Sequence, residues 1–146
     1  MKRVTFCGHG NIPSADKEKI KSVLRNTIEN LIASQGTTEF LLGGYGDFDG
    51  MSARTVRELK DKYPHITSTL VIPYIDRDYN TELYDGSVFP PIESVPKRFA
   101  ISKRNEWMVQ SSDIVIAYVK YSWGGASKTL DFARRKKKVI FNIADT

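Results

Sequence analysis

Short apolar segments alternate along this chain with amphipathic stripes of helical period, and two of the apolar segments are followed directly by glycine. The apolar segments predict five strands, over Val4–Cys7, Phe40–Leu42, Leu70–Ile72, Asp113–Val119 and Val139–Ile143. Strands this apolar are covered on both faces, as they are in a parallel sheet. The alternation therefore predicts an α/β fold, a single-domain Rossmann-like three-layer sandwich with a mainly parallel five-stranded sheet.

The stripes between these segments predict four helices. The first begins after Ser14 and ends at Gly36, and its apolar residues recur at three- and four-residue steps. The other three are predicted over about Phe48–Tyr63, Lys97–Ser111 and Thr129–Arg135. The length of 146 residues suits one domain spanning 1–146.

One long segment, Tyr74 to Pro96, breaks the alternation. It is rich in Asp, Asn, Gly, Tyr and Pro, and it predicts an irregular loop. Ordered loops of this length are uncommon and are often functional. We expect this segment to form part of a ligand-binding wall or a subunit contact.

The net charge of +5 has a local explanation, because the run Arg134–Lys138 alone carries five positive charges. This run lies where the last helix should end, and cations are favoured there, so we favour a solvated helix end over contact with a polyanion. A nucleic-acid partner is therefore not expected. The single cysteine, Cys7, and the absence of a signal-peptide pattern or a membrane-length apolar run lead us to expect a cytoplasmic protein without a membrane partner. No Cys/His cluster has metal-ligand spacing, so no metal site is expected.

The turn after the fourth predicted strand has the composition of an anion site. Gly124 and Gly125 lead into a predicted helix, so backbone N–H groups and the positive end of the helix dipole would face a phosphate. Ser127, Lys128 and Thr129 add hydroxyl and ammonium donors. The alternative is an ordinary strand-to-helix turn. We favour the anion site because three types of donor coincide at one helix start.

Two further glycine clusters follow the first two strands, at the edge of a parallel sheet where ligands bind. Gly8 and His9 follow the first strand, and the imidazole would either contact a ligand or hold the turn. The second strand is followed by three glycines that are candidates for binding, Gly43, Gly44 and Gly46.

Side chains near these turns add polar and aromatic candidates. Asp47 and Asp49 could accept hydrogen bonds from ribose hydroxyls, although Asp47 is equally a helix cap. Four aromatic residues in or near the loops could stack on a base or plug the sheet edge, namely Tyr74, Tyr79, Tyr84 and Trp123.

Four segments together resemble the SLOG superfamily, which groups the Lonely-guy nucleotide phosphoribohydrolases with DprA/Smf-like domains. The segments are Val4–His9, Gly43–Asp49, Lys103–Met108 and Ser122–Thr129. Within the superfamily the chain is most similar to the YpsA-like branch, whose bacterial members are largely uncharacterised. The resemblance implies a Rossmann-like fold that binds a nucleotide or a nucleotide-derived ligand.

The Lonely-guy pattern also implies roles for particular residues. Arg104 matches its arginine, and Gly124, Gly125 and Thr129 match its glycine turn. An arginine at this position could hold a phosphate through two parallel hydrogen bonds, and the alternative is a solvated, charged helix face. Trp123 replaces its proline.

Carboxylates are needed if the chain is an enzyme of this kind. Asp131 stands near the position of the Lonely-guy glutamate and is one methylene shorter. Glu106, next but one to Arg104, is a further candidate acid, base or nucleophile. Arg104, Glu106 and Asp131 are therefore the candidate catalytic residues, since glycosidic cleavage needs a carboxylate.

Three functions follow, in order of preference. The first is a sensor or binding module for a nucleotide or nucleotide-derived small molecule, with a nucleotide-like ligand and no required cofactor. The second is an enzyme that cleaves or transfers an N-glycosidic bond of a nucleoside or nucleotide, of the phosphoribohydrolase or deoxyribosyltransferase type. The third is DNA binding, by analogy with the DprA-like relatives. The resemblance also implies a homo-oligomer paired through helices.

Overall fold

The computed structural model describes residues 2–145 as alternating strands and helices. The strands are β1 (Lys2–Gly8), β2 (Thr37–Leu42), β3 (Thr67–Val71), β4 (Gly86–Val88), β5 (Ile114–Tyr118) and β6 (Val139–Asn142). The helices are α1 (Lys17–Gln35), α2 (Gly46–Leu59), α3 (Ala100–Gln110) and α4 (Gly125–Arg135). Short 3-10 turns lie at Ser14–Asp16, Lys97–Phe99 and Ile143–Asp145.

All described strands are parallel and form one sheet in the order β4-β3-β2-β1-β5-β6. The predicted α/β sandwich is confirmed, with β1 at the centre, where Val4 lies opposite Phe40 of β2 and Ile114 of β5. The reversal of strand order beside β1 creates the crevice in which ligands of such sheets bind.

The predicted strand number was wrong, because the sheet has six strands among the described residues rather than five. The sixth, β4, lies within the segment from Tyr74 to Pro96 that we predicted to be irregular. Asp85 positions it, since its carboxylate accepts the N–H of Ser68 and its own N–H donates to the Ser68 carbonyl. A strand of three residues is too short to show a period in the sequence.

The helix boundaries differ from the predicted ones by up to one turn. The helix α1 ends as predicted at Gly36, which adopts a φ of 69°. The helix α2 ends at Leu59, and the chain passes through turns before Pro64. The helix α4 begins at Gly125 rather than Thr129, so the glycine turn forms the first turn of the helix itself.

The side chains of β1 alternate between two cores. Val4 and Phe6 pack with α1 and α2 on one face of the sheet. Cys7 packs with Val109 of α3 and Leu130 of α4 on the other face. The three layers therefore place the N-terminal ends of α3 and α4 together, next to the carboxyl end of β1. Within residues 2–145 no helix is long and apolar enough to cross a membrane.

Candidate functional site

A cleft of about 290 Å³ opens at the carboxyl end of β1, between α2, α3 and α4. Five of the predicted site residues line it, namely Gly8, His9, Arg104, Gly125 and Thr129. The cleft is also lined by Asp49, Asn105 and the exposed Tyr45 and Ile101. The structure thus brings the ends of β1, α3 and α4 together, as the parallel sheet predicted.

A second cavity of about 470 Å³ lies between α3 and α4, and we call it the α3–α4 groove. It is lined by Arg98, Ile101, Ser102, Asn105, Glu106, Gly125, Lys128, Thr129, Asp131, Phe132 and Arg135. Ile101, Asn105, Gly125 and Thr129 also line the cleft, so the two cavities are continuous. Glu106, Lys128 and Asp131 therefore lie in the groove rather than on the floor of the cleft.

The first turn of α4 is open to this space. Gly124, with a φ of 91°, precedes the helix, and no side chain of the described residues caps it. A Cβ atom added to Gly124 or Gly125 would meet nothing within 4 Å. The backbone N–H groups at the start of α4 are thus exposed to an incoming anion rather than covered by the protein.

The hydroxyl groups of Thr129 and Ser127, in the same turn, have other surroundings. The Thr129 Oγ1 donates to the Gly125 carbonyl at 2.9 Å, within the helix. Ser127 is buried and lines a different hollow, beside Lys120 and Asn142. An anion at this turn would therefore meet backbone N–H groups and Lys128, not the two predicted hydroxyls.

The glycines after β1 and β2 are required for close packing. A Cβ on Gly8 would lie 2.8 Å from the Phe48 Cβ and still closer to its buried ring. Gly46, with a φ of 90°, approaches the Cα of Gly10 so closely that its added Cβ would lie 2.6 Å away. Gly44 packs against Leu70 in the same way, at 2.6 Å. These contacts hold the loops that frame the cleft.

We expect Gly8→Ala to lower the free energy of unfolding by about 2–3 kcal/mol, because the methyl group overlaps a side chain that is enclosed on all sides. Gly125→Ala is the matched control and should cause no loss, since its methyl group enters open space. Urea unfolding followed by circular dichroism measures both. Equal stability of the two variants would contradict the packing role of Gly8.

Arg104 is the most buried charged residue of the cleft, at 3% exposure. Its Nη1 donates to the carbonyls of Gly43 (2.9 Å) and Val71 (2.8 Å), and its Nε donates to the Asn105 Oδ1 (2.9 Å). These bonds join α3 to the ends of β2 and β3. Burial lowers the pKa of Arg104, and the nearby Asp49 carboxylate partly opposes that shift.

Asp49 is a functional candidate that the sequence analysis considered only for ribose contact. Its carboxylate accepts the N–H of Tyr45 at 3.2 Å and lines the cleft. Burial raises the pKa of Asp49 from 3.8 to about 6, although the Tyr45 N–H and the charge of Arg104 act in the opposite direction. A carboxyl group that titrates near neutral pH inside a cleft is typical of acid–base sites.

Asp47, two residues earlier on α2, points away from the cleft. Its Oδ2 accepts the N–H of Ile12 at 2.9 Å, and Lys17 lies 3.9 Å from it. Its own N–H donates to the Gly10 carbonyl. Residues two apart on a helix face nearly opposite directions, so Asp47 anchors the loop after β1 whereas Asp49 faces the cleft. That spacing was the signal by which the sequence could have separated the two.

His9 connects the loop after β1 to the loop before α4. Its Nε2 accepts the N–H of Lys120 at 2.8 Å and that of Tyr121 at 3.4 Å. Burial, and secondarily the charge of Lys120, lower the pKa of His9, which suits a neutral ring that accepts these bonds. The ring lies 4.7 Å from that of Tyr121, which stacks on Trp123 at 4.8 Å. Trp123 is 68% exposed, so the stack ends in an open aromatic face beside Gly124.

Glu106 and Asp131, the predicted catalytic carboxylates, are each paired within their own helix. Glu106 lies 3.4 Å from the Lys103 Nζ, and Asp131 lies 3.1 Å from the Arg134 Nη1. Among the described carboxylates of this region, only Asp49 lines the cleft. The residues that the sequence analysis missed are Arg98 and Arg135, which line the α3–α4 groove.

Comparison with known proteins gives distant relatives. No protein-family model matches the chain. The uncharacterised SPbeta prophage-derived protein YoqJ of Bacillus subtilis (strain 168) is 26% identical over 139 residues, which cover 80% of this chain and 81% of the relative.

Three solved structures share the fold. TM1055 matches with a TM-score of 0.65 at 17% identity, over 99% of this chain and 79% of its own. DNA processing protein A of Helicobacter pylori, whose structure describes a single-stranded DNA binding mode, matches with a TM-score of 0.63 at 18% identity. DprA of Streptococcus pneumoniae matches with a TM-score of 0.68 at 16% identity.

Both DprA matches include 97% of this chain, but they include only 64% of the Helicobacter pylori protein and 50% of the Streptococcus pneumoniae protein, which are longer. At such identities the similarity shows the fold alone. It agrees with the SLOG resemblance at the level of a Rossmann-like α/β domain. The assignment to the YpsA-like branch stays a prediction.

Proposed function

We propose that this protein binds a nucleotide or a nucleotide-derived small molecule, as a sensor or binding module. The observation that carries the proposal is the first turn of α4, which is uncapped and opens directly onto the cleft. A phosphate there would accept hydrogen bonds from backbone N–H groups and would lie at the positive end of the helix dipole.

The surroundings of this turn suit the rest of a nucleotide. Trp123 presents an exposed ring beside Gly124, and a base stacked on it would extend the aromatic series from His9 through Tyr121. The cleft runs from Gly125 down to Asp49, whose oxygens would accept hydrogen bonds from ribose hydroxyls. The volumes of the cleft and the groove fall near the range of small-molecule sites.

Substitutions at Gly125 test the proposal. Calorimetric titration with a nucleoside monophosphate should give binding that is at least about tenfold tighter than that of the nucleoside without phosphate. Gly125→Asp should lower the affinity for the monophosphate by at least about tenfold, because the new carboxylate occupies the anion position and repels the phosphate. The same substitution should not unfold the protein, since an acid in the first turn of a helix is favourable by about 0.3–1 kcal/mol.

Gly125→Ala is the control for added bulk without charge, because its methyl group meets no protein atom, and it should weaken binding of the monophosphate much less than Gly125→Asp does. Equal affinity of all three proteins would contradict the anion site. Salt-dependent binding of single-stranded DNA with no binding of mononucleotides would favour the DNA-binding hypothesis instead.

A second candidate function is cleavage or transfer of an N-glycosidic bond. One observation favours it, which is the position of Asp49 in the cleft with a pKa of about 6. Its carboxylate form would activate a water molecule or stabilise positive charge on the ribose during cleavage. Glu106 and Asp131 are less suited, because each is paired with a neighbouring cation in the groove.

A further inference from the structure

The α3–α4 groove contains more positive charge than its acids neutralise. Arg98, Lys128 and Arg135 line it, and none of the three forms an ion pair with any residue in the range 2–145. The two acids of the groove do not offset them, since each lies within ion-pair distance of a base from its own helix. The cations thus converge on one cavity without a carboxylate partner.

Two of the three unpaired cations, Arg98 and Arg135, lie over aromatic rings. The guanidinium carbon of Arg98 lies 4.8 Å from the centre of the Phe99 ring, and that of Arg135 lies 5.7 Å from the centre of the Phe132 ring. Such contacts orient a guanidinium group and leave its N–H donors free. Three like charges around one cavity repel each other, so an anion bound among them relieves that repulsion.

The groove is continuous with the start of α4. Gly125 and Thr129 line both the groove and the cleft, and Lys128 lies on the same turn as the exposed N–H groups. A single phosphate at the helix start would leave the charges of Arg98 and Arg135 uncompensated. A chain of phosphates that begins at this turn would continue along the groove towards them.

We propose that the ligand is a nucleoside polyphosphate, with its first phosphate at the start of α4 and the following phosphates in the α3–α4 groove. This inference rests on the proposed nucleotide binding and names the class of ligand. Arg98 and Arg135 bind the terminal phosphate oxygens, and Lys128 neutralises the phosphate nearest the helix. Ser102 and Asn105 line the α3 side of the groove, opposite Lys128 of α4, and supply neutral hydrogen-bond donors.

The test compares the mono- and triphosphate of one nucleoside, titrated calorimetrically at about 150 mM salt with a chelator present to exclude metal effects. The triphosphate should bind at least about thirtyfold more tightly than the monophosphate. Arg98→Gln and Arg135→Gln should each reduce that ratio by about five- to tenfold, because these two residues contact the phosphates that the monophosphate lacks. Lys21→Gln is the control, because it removes the same charge from an exposed position on α1, on the other face of the sheet, and should leave the ratio unchanged.

The outcomes separate this inference from the function on which it rests. A ratio near one, with the monophosphate still bound, overturns the polyphosphate assignment and leaves nucleotide binding intact. If the ratio of affinities is unchanged in both groove variants, or falls equally in Lys21→Gln, the placement of the phosphates in the groove is overturned. Absence of binding by either nucleotide overturns the proposed function and the inference together.

Discussion

Arg104→Ala is expected to lower the free energy of unfolding by about 3–5 kcal/mol. The guanidinium group is the donor to two buried carbonyls, those of Gly43 and Val71, and it compensates the charge of Asp49. Its removal leaves both carbonyls without that donor and the Asp49 carboxylate without the positive charge that favours its ionised form, and each loss is destabilising. Urea unfolding monitored by circular dichroism at pH 7.5 measures the effect.

Lys103→Ala is the matched control for this prediction. Lys103 is the neighbouring residue on α3, it is exposed, and its only ion pair among the described residues is the surface contact with Glu106. Its loss should change the free energy of unfolding by less than about 0.5 kcal/mol. Arg104→Lys should recover only part of the stability, because an ammonium group does not reproduce the planar guanidinium that joins two strand ends and Asn105. Similar stabilities for Arg104→Ala and Lys103→Ala would contradict the bridging role of Arg104.

Asp49→Asn is expected to reduce the release of base from a nucleoside monophosphate by about a hundredfold or more, if the protein acts on the glycosidic bond. The carboxylate is the acting form, so the rate in the original protein should rise with pH through about 6. Chromatographic measurement of free base between pH 5 and 8 gives both results. Base release that is undiminished in Asp49→Asn would exclude Asp49 as the catalytic carboxylate.

The stability of the same variant provides an independent check. Because the pKa of Asp49 is raised from 3.8 to about 6, its contribution to stability is fully present below pH 3.8 and is lost as the pH rises through 6. Asp49→Asn imitates the protonated group and should therefore raise the free energy of unfolding at pH 7.5 by about 1–2 kcal/mol. This range allows for solvent screening, because Asp49 is partly exposed. Asp47→Asn is the control for the measurement of base release. The Asp47 carboxylate accepts the Ile12 N–H outside the cleft, so this variant should leave base release unchanged.

Several parts of the site were predictable because they follow from local pattern. The glycine turn at Gly124 and Gly125 was predicted from its position between a strand and a helix, and the structure places it at an uncapped helix start. Cys7 lies two residues after the buried Thr5 on the same face of β1 and is itself buried, and burial raises the pKa of its thiol to about 12, which suits an inert group. Both properties depend on residues close together in the chain.

Other parts depended on contacts between distant residues. Arg104 was predicted to hold a phosphate, yet its Nη1 and Nε donate to Gly43, Val71 and Asn105. Gly8 was predicted as part of a ligand-binding turn, and the structure shows that it leaves the space that Phe48 fills. A sequence pattern gives the chemical type of a residue but not its neighbour across the fold.

The sequence by itself determined the layered α/β architecture, because apolar strands and amphipathic stripes have distinct periods that hold whatever the surrounding structure is. It also determined where anion-binding backbone could lie, because that depends on glycine beside a helix start. Only the tertiary structure decided which charges stay unpaired in the α3–α4 groove and which of two nearby aspartates faces the cleft. These properties depend on distance and burial, since both the energy of a charge and its pKa are set by the groups that folding brings within a few ångströms.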